Sequence, residues 1–250
     1  MGNRAIILGV GLILLFFFIT SCLDDGGNEI MLTSQPAVVK LVPEKVLLIK
    51  GGDLIHSAEM ESNPNLEEGD CGLVDFVLDY SDAENINTAD SGYYTASDVQ
   101  FTSMDKNPLE TILPDTGKVN AKEVVITDMY DKSVLLDYNL FLFTNHTIEF
   151  SLDSINLSYN GEDSQPVVSS AGQRVYNFYL RYLGDTISTQ KEIKYNVFDL
   201  TSFVAEKTNE EREAGKDSLY FRINYISAIK TDSTASWSTS QNFGVSLPRN

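Results

Sequence analysis

The sequence has few of the residues on which enzymes and nucleic-acid-binding proteins depend. It holds two cysteines, two histidines, and 18 Lys and Arg against 36 Asp and Glu, so its formal net charge is −18. Because affinity for nucleic acid comes from Lys and Arg placed on phosphates, this balance argues against a nucleic-acid partner. It argues equally against peripheral binding to anionic lipid.

Short catalytic and metal-binding motifs are also absent. The sequence has no Gly-x-Ser-x-Gly, no His-Glu-x-x-His, no Cys-x-x-Cys and no phosphate-binding loop. His56 and His146 each lack a neighbouring ligand motif, so we expect structural roles for both. We therefore expect no catalytic residue, no metal and no cofactor. A glycan-active enzyme stays open as an alternative, because two distant carboxylates could still meet in a cleft.

The first 21 residues have the pattern of a secretory signal peptide. Arg4 precedes an uncharged apolar run from Ala5 to Ile19, which is short for a membrane span. Ser21 before Cys22, with Ile19 three positions before it, resembles the lipobox of bacterial lipoproteins. That resemblance implies removal of residues 1–21, with Cys22 as the new first residue carrying diacylglycerol and palmitate-type chains. An ordinary cleaved signal peptide or an uncleaved anchor are the alternatives.

Residues 22–35 are polar, acidic and contain glycine, which predicts a flexible tether between the lipid and the first folded domain. Acidic residues directly after the cysteine resemble the surface-export signal of Bacteroidota-type lipoproteins. We therefore expect an outer-membrane location with display at the cell surface; a plain solvated linker is the alternative. Residues 1–21 contain one Arg and no acidic residue, so their removal changes the net charge from −18 to −19. The lipid on Cys22 would then be the membrane attachment.

Beyond the tether, runs of alternating apolar and polar residues separated by Gly, Asn, Asp, Ser and Pro predict an all-β chain. A segment with three breaking residues between Lys106 and Lys122 suggests two domains, a β-barrel over 36–112 and a β-sandwich over 119–250. One helix is predicted from Ser202 to Ala214, with Gly215 past its end. Its acidic residues 210–213 are expected on a solvated face.

Two predicted strands carry the most suggestive side chains. In each strand one face is apolar. The other face carries Tyr179 and Arg181 in the strand over 174–183, and Tyr220 and Arg222 in the strand over 218–229. If the strands are neighbours, these four residues form an outward patch of rings and planar donors suited to a glycan or protein ligand. Ordinary cross-strand pairing of surface Tyr and Arg is the alternative. Cys71 lies at the start of another strand and is expected to be a small buried hydrophobe.

The order of these features resembles the NigD-like lipoproteins of Bacteroidota. The segments that carry the resemblance are Gly69–Cys71 leading into Leu73–Tyr80, Asp128–Asp131, Leu180–Asp185 and Val197–Thr201. The resemblance implies an OB-like barrel domain followed by an immunoglobulin-like sandwich, and it implies no catalytic residues. We expect a lipid-anchored, non-enzymatic binding or accessory protein. A fimbrial or adhesin-type subunit, which polymerises by strand addition, is the main alternative.

Overall fold

A computed structural model describes residues 28–41, 44–86, 88–111, 128–129, 136–137, 141–159 and 165–247. Two β-sheets account for most of these residues, so the prediction of an all-β chain is confirmed. The predicted signal peptide and Cys22 lie outside the described residues. Among the helices within them, none is long and apolar enough to cross a membrane.

The first sheet is a half-barrel of six strands in the order β5-β3-β2-β1-β4-β6. Its strands are β1 (Glu29–Lys40), β2 (Val46–Ile49), β3 (Leu54–His56), β4 (Cys71–Asp79), β5 (Tyr94–Thr95) and β6 (Ser97–Met104). Three one-turn helices connect them: α1 (Ala58–Glu61), α2 (Ala83–Ile86) and α3 (Thr88–Ser91). Alternate residues of β4, namely Val74, Phe76 and Leu78, point into the barrel core, as the period of two requires.

The first strand begins earlier than the sequence indicates. β1 pairs with β4 from Glu29 opposite Asp79 to Val38 opposite Cys71, so residues 29–35, predicted as part of the tether, lie in the sheet. The polar residues after Leu32 form a bulge, so the alternation of apolar and polar residues that would predict this strand is interrupted. Ser34 has a positive φ of 51° and donates its backbone N–H to Asp75 Oδ1 at 2.6 Å.

The second sheet is built around one long antiparallel ribbon. The ribbon strands are β10 (Phe141–Ser158) and β12 (Arg174–Asp199). Shorter strands flank it: β7 (Lys106–Glu110), β8 (Asp128–Met129), β9 (Leu136–Asp137), β11 (Val167–Val168), β13 (Ser218–Ile229), β14 (Ala235–Thr239) and β15 (Phe243–Ser246). β7 pairs in parallel with the end of β10 and with the end of β12, so the ribbon curls round and both its ends meet at β7.

Both halves of the curled ribbon contribute to one core. Leu142 and Phe198 come from one half, and Leu157 and Phe178 come from the other. The layers therefore face each other as in a sandwich. β7 belongs to this second sheet, although its residues fall inside the range 36–112 predicted for the first domain. The sequence of β7 is typical of a linker because it contains Pro108 and has no apolar run.

One longer helix, α4 (Thr201–Glu213), covers the open side of this core with Phe203 and Val204. The predicted helix is confirmed within one residue at each end. Gly215 has a φ of 71° and donates to the carbonyl of Arg212, and Lys216 donates to that of Glu211, which is the left-handed ending that favours glycine.

The two sheets share a small apolar cluster. Val38 and Cys71 on the outside of the barrel pack with Phe141, Phe143 and Val197 of the ribbon, and all five are buried. A single residue, Asp105, separates the last barrel strand from β7. Cys71 is thus a buried apolar contact, as expected, and it lies between the two sheets rather than in the barrel core.

Candidate functional site

The strands that carry the predicted patch are neighbours. β12 and β13 pair in parallel, with Asn177 opposite Arg222 and Tyr179 opposite Asn224. Their inward residues fill the core described above, so the alternate residues face away from it. We call this surface of β12, β13 and β14 the outer face; it comprises Asn177, Tyr179, Arg181, Tyr220, Arg222, Asn224, Trp237 and Thr239.

Trp237 lies at the centre of the aromatic part of the outer face. Its ring meets the Tyr179 ring edge to face at 5.4 Å between centroids and 88° between planes. Arg181 places its guanidinium carbon 5.8 Å from the Trp237 centroid, within cation–π range. Tyr179 and Trp237 are half-buried, whereas Arg181 is only 8% exposed. Arg181 is therefore buried against the Trp237 ring, whereas the alternation of the strand predicts an outward surface donor.

Arg222 is held by a network of side-chain amides. Its Nε donates to Asn177 Oδ1 at 2.7 Å, and Asn224 Nδ2 donates to the same oxygen at 3.3 Å. Asn224 also donates to the Phe178 carbonyl at 3.0 Å and accepts from Thr239 Oγ1 at 2.8 Å. These bonds fix the plane of the Arg222 guanidinium, which remains half-exposed.

Tyr220 lies flat against the backbone of β15. A Cβ added at Gly244, which pairs with Tyr220, would come within 2.6 Å of Tyr220 Cε1. Gly244 is needed here because only a residue without a side chain leaves room for the ring. The ring's orientation on the outer face thus depends on a glycine in the neighbouring strand.

None of the eight described residues of the outer face is acidic, although the chain has twice as many acidic as basic residues. Arg181 and Arg222 are its two charged residues, and the other six are Asn, Tyr, Trp and Thr. Arg181 and Asn224 are each only 8% exposed, so the accessible charge among the eight is that of Arg222. Arg222 can therefore offer a half-exposed positive group to a negatively charged ligand at this place.

A second polar group of residues joins α4 to the sheet. Glu211 is completely buried and accepts from Arg174 Nε at 2.9 and 3.2 Å and from Tyr176 Oη at 2.7 Å. The prediction that residues 210–213 form a solvated face is therefore wrong for Glu211. No local pattern indicates its partner, because Arg174 lies 37 residues away on β12.

Lys207, also on α4, is 4% exposed and reaches Glu206 at 2.7 Å and Glu210 at 2.8 Å. Tyr159 donates to Glu206 Oε2 at 2.9 Å. Burial, followed by this hydrogen bond, raises the pKa of Tyr159 to about 12. The hydrogen bond from Lys207 lowers the pKa of Glu206. Each charge in this group has a partner, which is the arrangement of a structural clamp on the helix.

The structure describes the side-chain surroundings of one of the two histidines. His56 lies beside Glu61, with His56 Nε2 3.5 Å from Glu61 Oε2, and its ring packs 5.0 Å from that of Tyr93. His146 is on β10, and its side chain is outside the described residues. Over the part of the chain that the structure describes, no group of three His, Cys, Asp or Glu side chains could hold a metal ion.

The family comparison concerns the half-barrel. Residues 27–101 match the family model of a lipoprotein OB domain. This confirms that the first domain is OB-like and relates it to domains of lipoproteins. No curated protein matches the chain significantly.

Two solved structures share the fold across both sheets. One is the crystal structure of an uncharacterized protein from Parabacteroides merdae, with a TM-score of 0.69 and 19% identity, covering 87% of this chain and all of that one. The other is a candidate lipoprotein from Bacteroides fragilis, with a TM-score of 0.51 and 7% identity, covering 88% of this chain and 98% of that one. At these identities the likeness concerns the fold, so the arrangement of half-barrel and sandwich recurs in these two proteins.

Proposed function

We propose that this protein is a lipid-anchored, non-enzymatic binding protein of the outer membrane that uses its outer face to hold a carbohydrate with acidic groups. The observation that carries the proposal is the composition of the outer face. Aromatic rings, fixed amides and an oriented guanidinium occur together there, and acidic side chains are absent.

The anchor in this proposal is Cys22. Its support is the lipobox-like sequence, the match of residues 27–101 to a lipoprotein OB domain and the resemblance to NigD-like lipoproteins. Two or more acyl chains give stable attachment, which an acidic protein could not obtain by electrostatic attraction to anionic lipid. Replacing Cys22→Ser should release the chain from the membrane fraction or block removal of residues 1–21. Unchanged fractionation of that variant would overturn the anchor.

The ligand class follows from the chemistry of the outer face. Sugar rings pack their C–H faces on aromatic side chains such as Tyr179 and Trp237. Arg222, held by one edge of its guanidinium, can present the remaining N–H groups to a carboxylate or sulfate in a bidentate manner. Because none of the eight outer-face residues is acidic, none of them repels an anionic sugar that packs on Tyr179 and Trp237.

A glycan array with matched neutral and acidic sugars tests this assignment. We expect acidic glycans to be captured, and alanine variants at Tyr179, Arg222 and Tyr220 to lose that capture. Arg181→Ala should also weaken capture, since Arg181 supports Trp237 from below. Capture of peptides instead of glycans, or identical arrays for wild type and variants, would contradict the proposal.

A further inference from the structure

We propose that the apolar rim of the half-barrel, formed by Ile30, Met31, Tyr80 and Ile86, rests on the bilayer in which Cys22 is anchored. This inference rests on the proposed lipid anchor and adds the surface by which the folded protein contacts the membrane. It also fixes the direction in which the outer face points.

The rim is an exposed apolar surface on an acidic protein. Met31 is 63% and Ile86 is 64% exposed, and Ile30 and Tyr80 are each more than a third exposed. Ile30 and Tyr80 continue the barrel-facing rows that include Leu32 and Leu78, so the core lining extends to the open end of the barrel. Met31, by the same alternation, lies on the outside of the barrel at this end. Exposed apolar side chains gathered at one end of a domain mark a contact surface.

These four residues belong to the same end of the barrel. Tyr80 donates its backbone N–H to the carbonyl of Asn28 at 3.2 Å, and its ring meets Tyr94 edge to face at 5.9 Å. Asn85, next to Ile86, donates to the carbonyls of Asp79 and Thr95, which fastens α2 to the ends of β4 and β5.

The short length of chain between the lipid and this end of the barrel indicates that the membrane is the surface that covers the rim. Five residues lie between Cys22 and Asn28, the residue before β1, so six Cα–Cα steps join the two. Even fully extended, that length spans at most about 22 Å. The rim therefore stays within that distance of the lipid-bearing cysteine, and the surface that can cover it is the membrane.

The second sheet lies at the opposite end of the barrel. The contact with it is made by Val38 and Cys71, nine residues along β1 from the Glu29–Asp79 pair at the rim. At the usual rise of a strand, this is about 30 Å. Rim contact would thus hold the outer face well away from the lipid headgroups, where a large glycan can reach it.

The charge near the rim specifies the lipid. Glu29, Asp79, Asp82 and Glu84 lie at the same end, so the rim should settle on zwitterionic phosphatidylcholine and be repelled by phosphatidylglycerol. A hydrogen bond from the Ser81 hydroxyl to Asp79 lowers the pKa of that carboxyl, which keeps it charged at neutral pH.

The test uses the full lipidated protein in phosphatidylcholine vesicles. Spin labels are placed at Met31→Cys and Ile86→Cys, and at Ile229→Cys on the second sheet as a matched exposed apolar control. Cys71 is buried and does not compete for the label. Flotation of the vesicles first reports whether the chain is anchored.

We expect labels at positions 31 and 86 to lose accessibility to a water-soluble relaxation agent on anchoring, and the label at 229 to keep it. Adding phosphatidylglycerol should restore accessibility at 31 and 86. Met31→Ser, read by the label at position 86, should shift the docked equilibrium by roughly tenfold, because one apolar side chain loses its burial in lipid. Anchored protein whose rim labels stay as accessible as the control overturns the rim contact alone, whereas protein that does not float overturns the anchor and the rim contact together.

Discussion

Removal of the guanidinium from Arg174 should destabilise the protein strongly. Glu211 is completely buried, and its carboxylate accepts from Arg174 Nε and Tyr176 Oη. Arg174→Met keeps most of the apolar stem but leaves the buried carboxylate with the phenol alone. Breaking a buried ion pair by removing one partner costs about 3–5 kcal/mol, and we expect the lower end because Arg174 is partly exposed.

The assay is urea unfolding of the chain that lacks residues 1–21 and carries Cys22→Ser. Arg174→Met is compared with Glu211→Met, with the double variant and with Lys216→Met, an exposed lysine just past α4. The double variant should recover part of the loss, because it removes both charges and leaves apolar groups of similar volume. Lys216→Met should change the free energy of unfolding by no more than about 0.5 kcal/mol. A loss below about 1 kcal/mol for Arg174→Met, or strict additivity in the double variant, would refute the reasoning.

Three further outcomes follow from the described contacts. Burial and the bond to Glu206 raise the pKa of Tyr159 to about 12, so the contribution of this phenol to the free energy of unfolding is fully present below about pH 10. About 3 kcal/mol of it is lost as the pH rises through 12. Tyr159→Phe should reduce that loss in urea titrations at alkaline pH, and an unchanged pH dependence would contradict it. Phe143→Ala, in the cluster between the sheets, should cost about 3–5 kcal/mol and speed proteolysis near Asp105; unchanged stability would show that the contact is not maintained in solution. Gly244→Val should displace the Tyr220 ring and weaken glycan capture, whereas Gly172→Ala, at an exposed turn, should leave capture unchanged. Equal capture by both variants would show that Tyr220 does not contribute to binding.

The sequence predicted the features that depend on local periodicity. Strict alternation in 174–183 and 218–225 assigned Tyr176 and Phe221 to the core and the intervening residues to the other face, which the pairing of β12 with β13 confirms. Gly215 marked the end of α4 because a left-handed residue is needed where a helix terminates.

Features that depend on partners distant in sequence could not be predicted in this way. Trp237 joins the outer face only because β14 pairs with β13 on its free side, and its alternation with Thr239 is the sole local signal. Glu211 reads as one of several surface acids until Arg174 is brought beside it. The first half of β1 has the sequence pattern of a tether because its bulge interrupts the apolar alternation.

The outer face as a site for acidic carbohydrate is tested most directly by measuring Kd for a uronate or sulfated polysaccharide at two salt concentrations. The wild type is compared with Arg222→Ala and with Lys216→Ala, which removes one positive charge elsewhere. We predict that Arg222→Ala weakens binding about tenfold or more, since a hydrogen bond to a charged group contributes about 1.5–3 kcal/mol. Lys216→Ala should bind as the wild type does, and higher salt should weaken both. Equal Kd values for the two variants, or no binding of any acidic polysaccharide by the wild type, would contradict the account.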